Sequence, residues 1–116
     1  MNGYIITMGE WHRAARLEDI PDGKGLKAYV NGIEIALFKV DGIPYALDNI
    51  CPHRQGPIAE GELDEDIVSC PWHAWEINVR TGSVVYNPKL CSQTFPCRVE
   101  NGEVLVQIKS DDRKSE

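Results

Sequence analysis

Short runs of apolar or alternating residues recur along the chain, each closed by a turn signal, and this rhythm predicts strands rather than helices. Leu26–Val30 reads as a strand and Ile33–Val40 as its partner, joined through Asn31-Gly32. Asp41-Gly42 then leads into a third strand, Ile43–Leu47. Asn-Gly and Asp-Gly between apolar runs are strong hairpin signals, because a two-residue type I′ turn needs positive φ at both central residues. Farther on, Ile67–Ser69 and Ala74–Val79 read as short strands and Thr81-Gly82 as a turn. Phe95–Glu100 and Glu103–Ile108 read as a closing hairpin around Asn101-Gly102. One helical turn, Leu17–Ile20, stops at Pro21, whose ring and missing N–H end a helix.

Many short strands at close spacing predict an all-β protein, built as an antiparallel sandwich or barrel. Two stretches break the rhythm, Asp48–Ala59 and Asn87–Thr94. Long connections in so small a β domain mark function. The polar tail 110–116 is expected to fray.

At 116 residues the chain fits one domain with one modest core. The formal charge of −6 offers no basic stripe for phosphates, which argues against nucleic acid. It suits docking to a basic patch on a protein partner. No run approaches the length of a membrane span, and Met1–Trp11 shows no basic region followed by an apolar run. The expectation is a cytoplasmic protein with no membrane partner. In that setting four cysteines read first as metal ligands or buried thiols and only then as disulfides.

Two of the cysteines and two of the three histidines fall in two short clusters, Cys51-Pro52-His53 and Cys70-Pro71-Trp72-His73. Each segment offers one thiolate and one imidazole, and Pro52 and Pro71 stiffen both. Structural zinc sites tend to pair Cys with Cys and His with His along the chain. The mixed pairing suits a two-iron cluster in which two cysteines hold one iron and two histidines the other. A zinc-stabilised interaction module is the remote alternative.

At these residues the sequence resembles the Rieske family, in the motifs Cys51-Pro-His-Arg-Gln-Gly56 and Cys70-Pro-Trp-His-Ala-Trp75. The flanks Pro57–Leu63, Asn78–Gly82 and Phe95–Gly102 match as well, so the resemblance covers about residues 10–108. It implies a Rieske fold over 1–116: an antiparallel β sandwich or barrel base with a small cluster-binding subdomain at about 48–90. It implies one [2Fe-2S] cluster per chain, with Cys51 and Cys70 on the inner iron and His53 and His73 on the outer one. It also implies that Arg54 and Gln55 line the rim a partner touches and that the loop holding Pro88 covers the cluster's third side. Ala74 and Gln55 stand where the family often has Gly, which affects loop detail and no ligand.

Respiratory members of the family carry an extra cysteine in each ligand loop. Gly56 and Trp72 occupy those positions here, so the chain resembles the soluble ferredoxin branch. In the high-potential branch a Ser and a Tyr stand where this chain has Trp75 and Ile77. Oxygenase large subunits add a mononuclear iron site with two histidines. Only His12, expected on the surface or a strand, is left once the cluster is built. The resemblance therefore implies an electron carrier and not the catalyst, passing single electrons from a reductase to a terminal oxygenase such as a ring-hydroxylating dioxygenase. The alternative is the small subunit of an assimilatory nitrite reductase, delivering electrons to its large subunit.

Among the remaining residues, Trp72 and Trp75 flank His73 and either shield the cluster or pack under a loop. The acidic run Glu60, Glu62, Asp64, Glu65, Asp66 reads as a solvated hairpin turn in preference to a docking surface. Cys91 and Cys97 read as buried free thiols.

The ligand assignment has a direct test. The purified protein is expected to be brown, and Cys51→Ser, Cys70→Ser, His53→Ala and His73→Ala each to lose the normal cluster absorbance and part of the stability. Cys91→Ser and Cys97→Ser should keep both. Cluster loss in either of the latter two would show that the wrong cysteines were chosen.

Overall fold

The strand pattern folds as the turn signals dictate. A computed structural model describes residues 10–49, 57–69, 76–86 and 93–108. Ten strands are described: β1 (Glu10–Arg16), β2 (Leu26–Val30), β3 (Ile33–Val40), β4 (Ile43–Asp48), β5 (Glu62–Asp64), β6 (Ile67–Ser69), β7 (Glu76–Asn78), β8 (Thr94–Phe95), β9 (Cys97–Glu100) and β10 (Glu103–Ile108). Single 3-10 turns lie at Leu17–Asp19 and Ile58–Glu60. The strands form three antiparallel sheets with orders β1-β10-β9, β2-β3-β4-β8 and β5-β6-β7.

The β2–β3–β4 meander follows from its hairpins. Val30 pairs with Ile33 and Val40 with Ile43, leaving two-residue loops. Asn31 and Gly32 have φ of 51° and 83°, Asp41 and Gly42 54° and 79°, the left-handed values a type I′ turn needs. These turns fix the register, and the register decides which side chains face which side. On β3, Ile33, Ile35 and Leu37 face one way, while Ala36, Phe38 and Val40 face the other; all six are buried. β3 therefore has a core on each side.

The first core lies between this meander and the small β5-β6-β7 sheet: Ala36, Phe38, Val40 and Leu47 meet Ile58, Ala59, Val68, Ile77, Val79 and Val84. The second lies between the meander and the β1-β10-β9 sheet: Ile33, Ile35, Leu37, Ala46 and Phe95 meet Val104, Val106 and Ile108 of β10. Alternation along β10 is regular, each buried residue being followed or preceded by a half-buried one, as expected for a strand with one face on a core.

Several expectations change, and β1 is a strand the pattern did not predict. Phe95–Glu100 is not one strand. It breaks at Pro96 into β8, which pairs with β4, and β9, which pairs with β10. Proline has no N–H for a ladder and a fixed φ, so the chain turns there and passes from one sheet to another. The Pro96 carbonyl still accepts a bond from Gln107 N at 3.0 Å. β1 carries little apolar signal because it is an edge strand with a register shift between Arg13 and Ala15. Its side chains make surface contacts, with Arg98 stacked 4.4 Å from the Trp11 ring centre and Arg13 2.9 Å from Glu103. The acidic run is only partly a turn: Glu60 ends a 3-10 turn, Glu62 and Asp64 lie on β5, and Glu65, at φ 59°, begins the bend into β6. β4 runs one residue beyond its expected end. Of Ala74–Val79, the structure describes Glu76–Asn78 as strand, Ala74 and Trp75 lying outside the described residues. The tail 110–116 also lies outside them.

Double-sided burial of β3 predicts where stability resides. Leu37→Ala should cost about 2–5 kcal/mol, whereas Ile43→Ala, at a side chain 52% exposed, should cost under about 1 kcal/mol. Urea denaturation monitored by tryptophan fluorescence measures both, and equal costs would contradict the two-core architecture.

Candidate metal centre

Cys51, His53, Cys70 and His73 lie outside the described residues, as do Pro52, Arg54, Gln55, Gly56, Pro71, Trp72, Pro88 and Cys91. The structure describes what holds the ends of their segments, and those ends adjoin one another.

The first segment, 50–56, leaves from the end of β4 and returns at Pro57 and the Ile58–Glu60 turn. Asn49 closes it. Ile58 N donates to the Asn49 carbonyl at 2.9 Å, and Ala59 N donates to Asn49 Oδ1 at 2.6 Å. On its other side Asn49 N donates to the Glu34 carbonyl at 3.1 Å, and Asn49 Nδ2 donates to Glu34 Oε2. Asn49 is 1% exposed. Its buried amide is thus satisfied on both the oxygen and the nitrogen side, which removes the penalty of desolvating it.

The second segment, 70–75, lies between β6 and β7, whose facing ends Ser69 and Glu76 pair. Gly61, just after the Ile58–Glu60 turn, packs directly on this entry. A Cβ there would overlap the Ser69 carbonyl and sit 3.1 Å from Val68 Cγ2. Only glycine permits so close a backbone approach, and it brings the exit of the first segment against the entry of the second. The third segment, 87–92, begins after Val85, whose N–H donates to the Glu76 carbonyl at 2.8 Å. It ends at Gln93, whose carbonyl accepts from Asp48 N at 2.8 Å. Each segment therefore ends where another begins: Gly61 on Ser69, Glu76 on Val85, Gln93 on Asp48.

Asn49, Glu34 and Gly61 were not singled out from the sequence. Asn49 stands two residues before Cys51, where a polar residue at the end of an apolar strand was visible. Its partner Glu34 is distant in sequence, and only the β3–β4 register, which pairs Ile35 with Asp48, brings the two together. Among the described residues no group of three or more His, Cys, Asp and Glu side chains could hold a metal ion. His12 lies on β1, opposite Val106. Cys97, on β9, is a free thiol packed against the second core. Its Sγ donates to the Phe95 carbonyl at 3.8 Å, and burial pushes its pKa up to about 12. It is a packing residue and carries no thiolate at neutral pH.

Comparison with known proteins identifies the family. The family model for the Rieske [2Fe-2S] domain matches residues 10–102. The chain belongs to this family, and its cofactor is a single [2Fe-2S] cluster. It is 37% identical over 100 residues to the ferredoxin component of the naphthalene 1,2-dioxygenase/salicylate 5-hydroxylase systems of Ralstonia sp, a match covering 85% of this chain and 96% of that relative. It superposes with a TM-score of 0.74 and 29% identity on a chain from the complex of reduced oxygenase and oxidized ferredoxin in carbazole 1,9a-dioxygenase, covering 84% of this chain and 92% of that one. A protein of Mycobacterium tuberculosis described as an NADH-dependent nitrite reductase small subunit superposes with a TM-score of 0.78 at 23% identity, over 88% of this chain and 96% of that one. At that identity the likeness concerns the fold alone.

The residues present fit such a cluster. Two thiolates and two imidazoles are the donor set of a two-iron centre with unequal irons, and they sit on two segments whose ends meet at Gly61 and Ser69.

The raised Cys97 pKa sets an alkaline limit. Below pH 9, the ordinary thiol value, folded and unfolded chains both keep the proton. Between 9 and about 12 the unfolded chain releases it and the folded chain does not, so stability falls as pH rises through that window. Cys97→Ala should flatten the decline, measured by urea midpoints from pH 8 to pH 11. An unchanged slope would place the alkaline sensitivity elsewhere.

Proposed function

We propose that this chain is the ferredoxin component of a multicomponent oxygenase, accepting single electrons from a flavin reductase and passing them to a terminal oxygenase. The observation that carries the reading is the 37% identity to a dioxygenase-system ferredoxin over 96% of that relative's length, joined to two complete Cys–His ligand pairs. In this reading Cys51 and Cys70 hold one iron, His53 and His73 hold the other, and the cluster-binding subdomain spans about 48–90. The bound cluster supplies one-electron redox chemistry. The chain's own residues hold the ends of its ligand segments, close to which Ile58, Val68 and Ile77 are all 0% exposed. The protein transfers electrons and leaves oxygenation to its partner.

No helix among the described residues is long and apolar enough to cross a membrane. A cytoplasmic setting accords with the free thiol of Cys97. The net charge of −6 supports protein partners over nucleic acid. The nitrite reductase reading rests on likeness of fold alone.

The test is reconstitution: the chain should carry electrons from a flavin reductase to a ring-hydroxylating oxygenase, measured as hydroxylated product, and should not support a nitrite reductase large subunit. The reverse preference would overturn the proposal. A reduction potential near the low end of the Rieske range, about −150 mV, is also expected. Hydrogen bonds to the cluster sulfurs raise the potential, and at Ile77, where high-potential relatives carry a Tyr, this chain has a side chain with no donor, 0% exposed between its cross-strand neighbours Val68 and Val84. Protein-film voltammetry at neutral pH measures it. A value well above zero would contradict the branch assignment.

A further inference from the structure

We infer that Glu34 and Asn49 form a positioning clamp that fixes the two ends of the first ligand segment, and through them influences the electronic state of the cluster. The inference rests on the cluster lying between the segments, as proposed above. Asn49 is the last described residue before Cys51 and is bonded on both sides. Its carbonyl and Oδ1 take the N–H groups of Ile58 and Ala59, where the segment returns. Its own N–H and Nδ2 reach the carbonyl and carboxylate of Glu34 on β3. One side chain therefore ties the start of the segment, its end and the central strand together.

The link to β3 is charge-assisted, an amide N–H on a carboxylate, and such bonds are stronger than neutral ones. The Glu34 carboxylate is itself steadied on its other oxygen, Tyr29 OH donating to Oε1 at 3.2 Å. Packing leaves Asn49 little freedom. Ala59, whose N–H it holds, is pressed by Gly25, where a Cβ would come within 2.8 Å of the Ala59 Cα and of Phe38 Cε1. A buried amide bonded at both its oxygen and its nitrogen specifies one arrangement. Losing the carboxylate would leave its N–H₂ group without that partner.

Hydrogen-bond polarity separates this role from plain structural support. Glu34→Gln keeps an acceptor for Asn49 Nδ2. Glu34→Ala removes it, at a half-buried surface residue where folding should survive. Asn49→Asp still accepts from Ala59 N but turns two acceptors toward each other at Glu34. The double variant N49D/E34Q reverses the bond, the new amide on β3 donating to the new carboxylate at the segment's start, at unchanged net charge.

Two readouts apply to the folded, cluster-loaded protein. Amide exchange at Ala59 and Ile58 should quicken about tenfold or more in Glu34→Ala and Asn49→Asp, while Glu34→Gln and the double variant stay within about threefold of wild type. The spin-resonance lines of the reduced cluster should broaden or shift in the first two variants and narrow again in the double variant. A merely structural residue would lower stability and leave those lines alone. The clamp is overturned if Glu34→Ala and Glu34→Gln behave alike, or if the double variant fails to recover the lines. Iron content in the wild type reports separately on the cluster reading, and amide exchange does not depend on it.

Discussion

Burial of β3 on both faces is the constraint from which the rest of the molecule follows. A strand with water on one side needs one partner layer; β3 presents Ile33, Ile35 and Leu37 to one side and Ala36, Phe38 and Val40 to the other, and so needs two. The β1-β10-β9 sheet covers one face and the β5-β6-β7 sheet with its 3-10 turn covers the other. A domain this small has little surface to hide, and sharing one strand between two cores lets a short chain build both. It also puts the end of β4 against Glu34 of β3, so the segment 50–56 leaves from the most buried part of the fold.

Through the ends of the three segments the backbone closes a ring. Exit of the first adjoins entry of the second through Gly61 and Ser69, exit of the second adjoins entry of the third through Glu76 and Val85, and exit of the third adjoins entry of the first through Gln93 and Asp48. None of these links is strong alone, since an ordinary hydrogen bond contributes about 1 kcal/mol net. They act together because each segment is held at both ends by a different neighbour.

Much of this was legible in the chain. β2, β3, β6 and β10 fall on the expected residues because Asn-Gly and Asp-Gly turns and period-two patterns are local signals. The two Cys–His pairs stood out because cysteines and histidines are rare and were grouped, and they lie outside the described residues. What stayed hidden depended on distant partners. β1 gains its order from β10 across the whole sequence. The Pro96 corner looked like one strand because apolar pattern does not say which sheet a residue joins. Asn49 and Gly61 matter through Glu34 and Ser69, and no property of either residue alone announces that.

The ring of anchored ends bears on how fast an electron can be exchanged. Each hop requires the surroundings of the donor to adjust to the new charge, and a mounting that yields little keeps that adjustment small, as in other preorganised polar sites. The described residues at the six ends, tied to one another and to a doubly buried strand, have few soft directions in which to relax. A framework tied in this way adds little of its own to that adjustment, which leaves the difference in potential between donor and acceptor to govern the exchange.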